Sequence, residues 1–298
     1  MNDTRKRRPT LQDIADLTGV TKMTVSRYLR DPSAVAEGTR ERIAAAVEEL
    51  GYIPNRAPDM LSNATSKAIG ILIPSLSNQV FSAVIHGIEA VTRPAGYQTL
   101  LAHYGYSPER EEEQIASLLS YNVDGLILSD TQHTERTRKM IATAGIPVVE
   151  TMDLPLSPID MVVGMDHRAA ARAMVTEMLR RGRRKVIYLG ARLDVRTQLR
   201  MEGYYQAMAD FGLTGQHLLT EQSSSFTLGG ELLAQAMARF PDLDGLFCTN
   251  DDLAVGALLQ CQARWIPVPQ QVAIAGSNAL DIGHAMTPKL ASIVTPRE

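Results

Sequence analysis

Residues 11–30 read LQDIADLTGVTKMTVSRYLR, and the folding of the amino-terminal end follows from them. Thr10 stands just before an apolar helical pattern of Leu11, Ile14 and Ala15, with Asp13 three positions on. Its hydroxyl can cap the helix, and the carboxylate favours the positive end of the helix dipole. Gly19 ends that helix, because glycine accepts the left-handed conformation, and Thr21 can cap a second one. On the second helix Val25 and Leu29 share one face, and Met23, Ser26, Arg27 and Arg30 fall on the other. A third helix is predicted roughly over 39–50, where Ile43, Ala46, Val47 and Leu50 close a small core and Gly51 stops the helix. Two short helices joined by a glycine turn describe a helix-turn-helix, whose second helix enters the major groove with its amino-terminal end. Lys22, Met23 and Arg27 are then the candidate base readers, with Thr21, Thr24 and Ser26 completing the DNA-facing set. An ordinary three-helix packing unit is the competing reading of the same pattern.

The charge distribution suits the first reading, although a solvated, disordered tail would also explain Arg5 to Arg8 alone. Residues 1–30 carry seven basic side chains against three acidic ones, a net +4, so with −3 for the whole chain the remainder carries −7. A basic head on an acidic body suits a phosphate-binding module joined to a domain with another task. The 298 residues allow about two domains, and 45% hydrophobic with 21% charged residues is a globular balance. No apolar run approaches the ~18 to 20 residues that span a bilayer, and the first residues lack a secretion signal, so a cytoplasmic protein is expected, nucleoid-associated when bound to DNA. Cys248 and Cys261 lack a CxxC spacing and read as reduced structural thiols.

The run 11–30, followed by EELGYIPNRAPDML at 48–61, resembles the head and hinge of the LacI/GalR family of repressors, in particular their gluconate and idonate operon regulators. The resemblance extends over essentially the whole chain. It implies a helix-turn-helix domain over 1–54, a hinge helix and linker over 55–67, and a two-lobed effector-binding and dimerisation core over 68–298. It also implies a short hinge helix in the minor groove that inserts a leucine, here Leu61, with Asn55 and Arg56 beside it. A helix of about nine residues is marginal alone in water, so this one would need a partner, and a leucine wedge that kinks the duplex supplies one. Pro58 fits only the first helical turn. The implied partners are a palindromic operator, a small effector and a second copy of the chain, with a higher oligomer left open. ASIVTP at 291–296 resembles a third crossover between the lobes, so the chain is expected to be a truncated copy with an apolar sheet face left uncovered.

From Ala68 onward, apolar runs alternate with helical patterns: AIGILIPS, YQTLLAH, VDGLILSD, IPVVETM, then DMVVGMD, KVIYLGA, DGLFCTND and QVAIAG. Alternation of this kind predicts parallel sheets covered by helices on both faces, and continuous hydrophobicity fits strands buried on two sides. The proline-rich run over 147–160 divides the series into halves. The fold expected is therefore a small all-α head plus an α/β core of two doubly wound lobes, like periplasmic binding proteins.

Ligands of open parallel sheets sit beyond the carboxyl ends of strands. Ser75, Ser129, Asp130, Asp153, Asp166, Asn250, Asp251 and Asn278 stand there. Capping is the expected role of Asp166 and Asp251, whereas the amides of Asn250 and Asn278 can both donate to and accept from hydroxyls. The resemblance adds Arg200 in RTQLRMEGYYQAM as the residue that holds the effector, Asn250 as a contact and Phe81 as an aromatic wall. The candidate effector set is Ser75, Phe81, Ser129, Arg200, Asn250 and Asn278. Many sugar-binding relatives carry an aspartate where Asn278 stands, and an aromatic near Ser223 to Ser225. The lost negative charge points to an anionic sugar acid, with a neutral sugar as the alternative. Arg192 and Arg196, on the same strand-to-helix connection, could add positive potential to the site, but surface solvation is the role expected of them. There is no GxxxxGK[ST] loop and no GxGxxG after a strand, and the six histidines show neither metal spacing nor a paired nucleophile, so no cofactor, metal or catalytic residue is expected. A sugar-processing enzyme with a DNA-binding head is the competing class.

Overall fold

The computed structural model describes residues 7–55 and 65–297, and the chain divides into two compact units, Met1–Ser66 and Lys67–Glu298. Among the described residues no helix is long and apolar enough to cross a membrane.

The first unit contains α1 (Leu11–Thr18), α2 (Lys22–Arg30), a 3-10 turn (Pro32–Ala34) and α3 (Glu37–Leu50). Both halves of a capping box form at Thr10: its backbone N–H donates to Asp13 Oδ2 at 2.6 Å, and its Oγ1 accepts from the Asp13 N–H at 3.4 Å. Gly19 closes α1 at φ 65°, a conformation that would strain any residue with a Cβ. The Thr21 hydroxyl accepts from the Thr24 N–H at 3.2 Å and starts α2. α3 begins two residues before the predicted start. Ala36 opens it without a side-chain cap, and its carbonyl accepts from Thr39 and Arg40. Ile14, Val25 and Ile43, fully buried, meet at the centre with Ala15, Val35 and Ala46, and Leu29 packs against them. Each large aliphatic side chain buried in this way contributes about 1.5–3 kcal/mol, which matters in so small a unit.

The second unit holds two five-stranded parallel sheets. The first consists of β1 (Ala68–Ile73), β2 (Gln98–His103), β3 (Gly125–Leu128), β4 (Val148–Met152) and β5 (Met161–Gly164), in the order β2-β1-β3-β4-β5. The second has β6 (Val186–Ala191), β7 (Gln216–Thr220), β8 (Gly245–Cys248), β9 (Ala273–Ser277) and β10 (Ala291–Ile293), in the order β10-β9-β8-β6-β7. Around the first run α4 (Gln79–Thr92), α5 (Pro108–Ser120) and α6 (Glu135–Ala144). Around the second run α7 (His167–Arg180), α8 (Val195–Asp210), α9 (Phe226–Arg239), α10 (Asp251–Ala263) and α11 (Asp281–Ala285). The two doubly wound lobes expected from the alternation are present.

The boundary between the halves differs from the expected one. DMVVGMD supplies β5, and β5 pairs with β4, so the proline-rich run holds β4 and its part over 153–160 is a return loop inside the first lobe. Two carboxylates hold that loop: the exposed Asp160 accepts from the Val148 N–H at 3.1 Å, and the buried Glu150 accepts from the Ile159 N–H at 2.5 Å. The crossover comes later, just before α7. β7 has no counterpart among the predicted strands. It is an edge strand, half-buried along its length and carrying Gln216, His217 and Thr220, so it presents no continuous apolar run. β6, in contrast, is buried at every position. Close helix contact within the second lobe depends on Gly203 of α8, where an added Cβ would run into the Arg168 carbonyl of α7. Cys248 and Cys261 are free thiols in the core of this lobe, and burial pushes both up, Cys261 to about 11.

Candidate functional site

In the head, α2 turns Val25 inward and leaves Lys22, Met23 and Arg27 exposed, with Ser26 half-buried beside them. Met23 is 74% exposed, far out for a residue of its hydrophobicity. The Thr21 and Thr24 hydroxyls lie 3.0 Å apart and are engaged in the cap. The outward face therefore offers two cations, a thioether and a hydroxyl at the start of a helix, the side-chain types that meet phosphates and base edges. Asn55 is exposed at the end of the head; Arg56 and Leu61 lie outside the described residues.

In the second unit, the carboxyl ends of the two sheets face a cleft lined by Asn78, Phe81, Tyr106 and Met152 from the first lobe and by Arg192, Asp194, Arg196, Thr197, Arg200, Thr249, Asn250 and Asn278 from the second. The lobes are closed on one another, and the free space in the cleft is about 20 Å³, enough for about one water. Tyr106, Met152, Arg192 and Asn278 all have positive φ, between 61° and 113°. Such backbone strain gathers where a fold holds side chains in fixed positions for a task.

Arg200, at the middle of α8, is 6% exposed. Its Nε and Nη2 point at His167 Nδ1, 3.3 and 3.2 Å away, and its Nη1 donates to the Thr249 carbonyl. Nε2 of His167 lies 3.0 Å from both the Met152 carbonyl oxygen and Asp153 Oδ1, so that nitrogen carries the proton and Nδ1 keeps the lone pair that receives Arg200. Burial lowers the pKa of His167, and the neighbouring Arg200 charge adds to that. Among the described residues Arg200 forms no ion pair. Burial pulls its guanidinium below the usual range, as expected for a cation held by neutral acceptors.

Arg196, one turn earlier on α8, reaches across to the first lobe. It pairs with Asp153 at 2.8 Å and donates to the Ser129 carbonyl. Burial works against its charge, but Asp153, Asp130 and Asp194 outweigh burial and raise its pKa. The same pairing holds Asp153 below the ordinary carboxylate range although burial alone would raise it. Arg192 stacks its guanidinium 4.5 Å from the centre of the Tyr106 ring, again across the lobes, and lies 3.4 Å from Asp194. The expectation of solvated Arg192 and Arg196 is therefore wrong: both bridge the cleft. Their i, i+4 spacing places Arg196 and Arg200 on one face of α8, a signal present in the sequence.

Of the candidate effector residues, Phe81, Arg200, Asn250 and Asn278 line the cleft, and Ser129 borders it through Arg196. Ser75 does not; its hydroxyl accepts from the N–H groups of Ser77 and Asn78 in the turn before α4. Asn250 caps α10 through Oδ1 and donates to Ser224 at 2.8 Å, while Asn278 Oδ1 accepts from Thr295 at 3.3 Å. Asp166 caps α7 as expected. Asp251 does not cap: Asn250 holds that position, and Asp251 accepts from the Leu280 N–H and the Ser292 hydroxyl. His167, Tyr106 and Asn78 join the site as residues that local pattern does not single out as ligand contacts, and Asp153, expected at a strand end, joins it through Arg196. Among the described residues no group of three or more His, Cys, Asp or Glu side chains could hold a metal ion.

Residues 66–298 match the family of periplasmic binding proteins and the sugar binding domain of the LacI family, and residues 10–55 match the bacterial regulatory proteins of the lacI family. The chain belongs to the LacI family. It is 59% identical to the HTH-type transcriptional regulator GntR of Escherichia coli K12, over 99% of this chain and 89% of that protein. It is 53% identical to the regulator IdnR of the same organism, over 98% and 89%. A solved LacI-family transcriptional regulator from Silicibacter pomeroyi superimposes with a TM-score of 0.91, at 36% identity over 97% of this chain and 88% of that one. The family resemblance read from the head and hinge and the two-lobed fold are both borne out, and the chain is a helix-turn-helix transcriptional regulator.

Proposed function

We propose that this regulator represses transcription by binding a palindromic operator as a homodimer, and that a sugar-acid monoanion of the gluconate or idonate type controls it from the cleft. The observation that carries the effector class is Arg200: a buried guanidinium at the cleft with neutral partners alone. A buried cation without a counter-charge is expensive, and a carboxylate matched to its planar fork would complete it. Asn278, neutral and in the cleft, adds no repulsion. The similarity to GntR and IdnR supports the same class.

In this reading residues 1–54 read DNA through Lys22, Met23 and Arg27. Residues 55–67 form a hinge with Leu61 as the minor-groove wedge, and 68–298 bind effector and dimerise. The protein would act in the cytoplasm, on the nucleoid. Effector must occupy more than the present 20 Å³, so binding changes how the lobes meet. It shifts the equilibrium only by its different affinity for the two arrangements. The outcome is release of DNA.

Titration calorimetry tests the effector class. The parent should bind gluconate more tightly than neutral glucose, and Arg200→Ala should weaken gluconate binding by about 2 to 5 kcal/mol. Tighter glucose binding by the parent, or unchanged gluconate affinity in the variant, would overturn the assignment.

A further inference from the structure

Three polar atoms at the seam between the lobes are buried without a hydrogen-bond partner: Arg196 Nε, Asp153 Oδ1 and Ser129 Oγ. They belong to residues in direct contact, since the Arg196 Nη2 that pairs with Asp153 also donates to the Ser129 carbonyl. Asp153 Oδ1 lies 3.0 Å from His167 Nε2, but that N–H is directed to the Met152 carbonyl. Native interiors rarely leave such groups unmatched. A donor, a hydroxyl and a carboxylate oxygen match in kind the hydroxyls of a polyol, which both donate and accept. The carboxylate oxygen opposes a phosphate, which at neutral pH offers only acceptors and negative charge.

The charges at the cleft divide in the same way. Of its three arginines, Arg192 has Asp194 at 3.4 Å, Arg196 has Asp153 at 2.8 Å, and Arg200 has neutral acceptors. We propose that Arg196 sets which anions the cleft accepts: committed to Asp153 across the lobes, it leaves Arg200 as the one cleft arginine without an acidic partner among the described residues, so the site takes a monocarboxylate polyol and rejects its phosphorylated form. This rests on the sugar-acid reading above and adds the selectivity. A phosphate would bring about 1.5 to 2 further negative charges into a closed cleft where no guanidinium is free for them. The orphaned atoms then take the hydroxyl chain while Arg200 takes the carboxylate.

Calorimetry with gluconate, 6-phosphogluconate and glucose separates the possibilities. The parent should prefer gluconate over 6-phosphogluconate by about a hundredfold or more, the scale of like charges brought together. Asp153→Asn keeps the shape but frees Arg196, and should narrow that ratio by about tenfold. The double variant Asp153→Asn/Arg196→Gln removes both charges and should restore the preference, which a merely structural disturbance would not do. A parent that binds both acids equally, or an unchanged ratio in Asp153→Asn, would overturn the selectivity and leave the sugar-acid reading intact. A parent that binds glucose in preference to either acid would overturn both.

Discussion

Arg200 and Arg196 are the same residue type, one helical turn apart, and their surroundings give them different work. Arg200 keeps an uncompensated charge at the cleft; Arg196 gives its charge to a carboxylate on the other lobe. The sequence made Arg200 legible through the family pattern around it, and Asn250 through its place at a strand end. It placed Asp153 at a strand end and Arg196 one turn from Arg200 but hid their pairing, because that joins positions on different lobes and no local period encodes it. His133 is a similar case. Its ring is fully buried, with Nδ1 3.0 Å from Glu111 and Nε2 3.3 Å from Glu150. Burial alone would lower its pKa, but the hydrogen bond and charge of Glu111, with Glu150 and Asp130 nearby, raise it overall. A raised folded-state value stabilises fully below the ordinary value of 6.5, and that contribution is lost as pH rises through the folded value. His167 is lowered instead, so its contribution is present above 6.5 and lost as pH falls through its folded value. The melting temperature should therefore fall on the alkaline side as His133 loses its proton, and His133→Gln should flatten that limb in a pH series of thermal melts. An unchanged alkaline limb in the variant would show that the cluster does not govern it. In the head, exchanging Lys22 and Met23 should redirect operator preference, with about 1 to 3 kcal/mol at stake for each good base contact. Operator ranking by binding selection measures it, and an unaltered ranking would remove them as readers.

At the scale of elements, the parts written in local chemistry were the readable ones. The Thr10 cap, the Gly19 stop and the Thr21 start define α1 and α2 without reference to anything distant. Strands buried on both faces, such as β6, announce themselves as continuous apolar runs. β7 did not, because an edge strand that is half-buried can carry Gln, His and Thr. The apolar run of β5 predicts a strand, but the prolines before it predict the second lobe whereas it pairs with β4: prolines mark a turn, and whether the chain then returns or crosses over depends on strand pairing. The capping box offers a direct test. Thr10→Ala removes the hydroxyl acceptor at the start of α1 and should destabilise that helix by about 1 kcal/mol. Backbone hydrogen exchange of α1 amides in the intact chain should then quicken by about fivefold, with the two lobes unaffected. Exchange at the parent rate would mean that packing on Ile14 and Ala15 alone holds the helix.

For the whole molecule, function requires that a small ligand in one unit alter DNA binding by the other. The cleft is suited to that task because its two sides are joined by polar contacts, Arg196 with Asp153 and Ser129, and Arg192 with Tyr106, rather than by a continuous apolar core. Contacts such as that of Arg192 with Tyr106 can be exchanged for contacts to a ligand without unfolding either lobe, while Arg196 keeps Asp153, so two arrangements can lie close in energy. A ligand that prefers one by 1–3 kcal/mol would change operator affinity about 5- to 150-fold. Fluorescence anisotropy of a labelled operator, recovered by selection and titrated with the protein at rising gluconate, measures this coupling. Gluconate should weaken operator binding by the parent, and Arg200→Ala should bind the same operator as tightly as the parent yet not respond to gluconate. A parent indifferent to gluconate, or an Arg200→Ala protein that responds as the parent does, would contradict this.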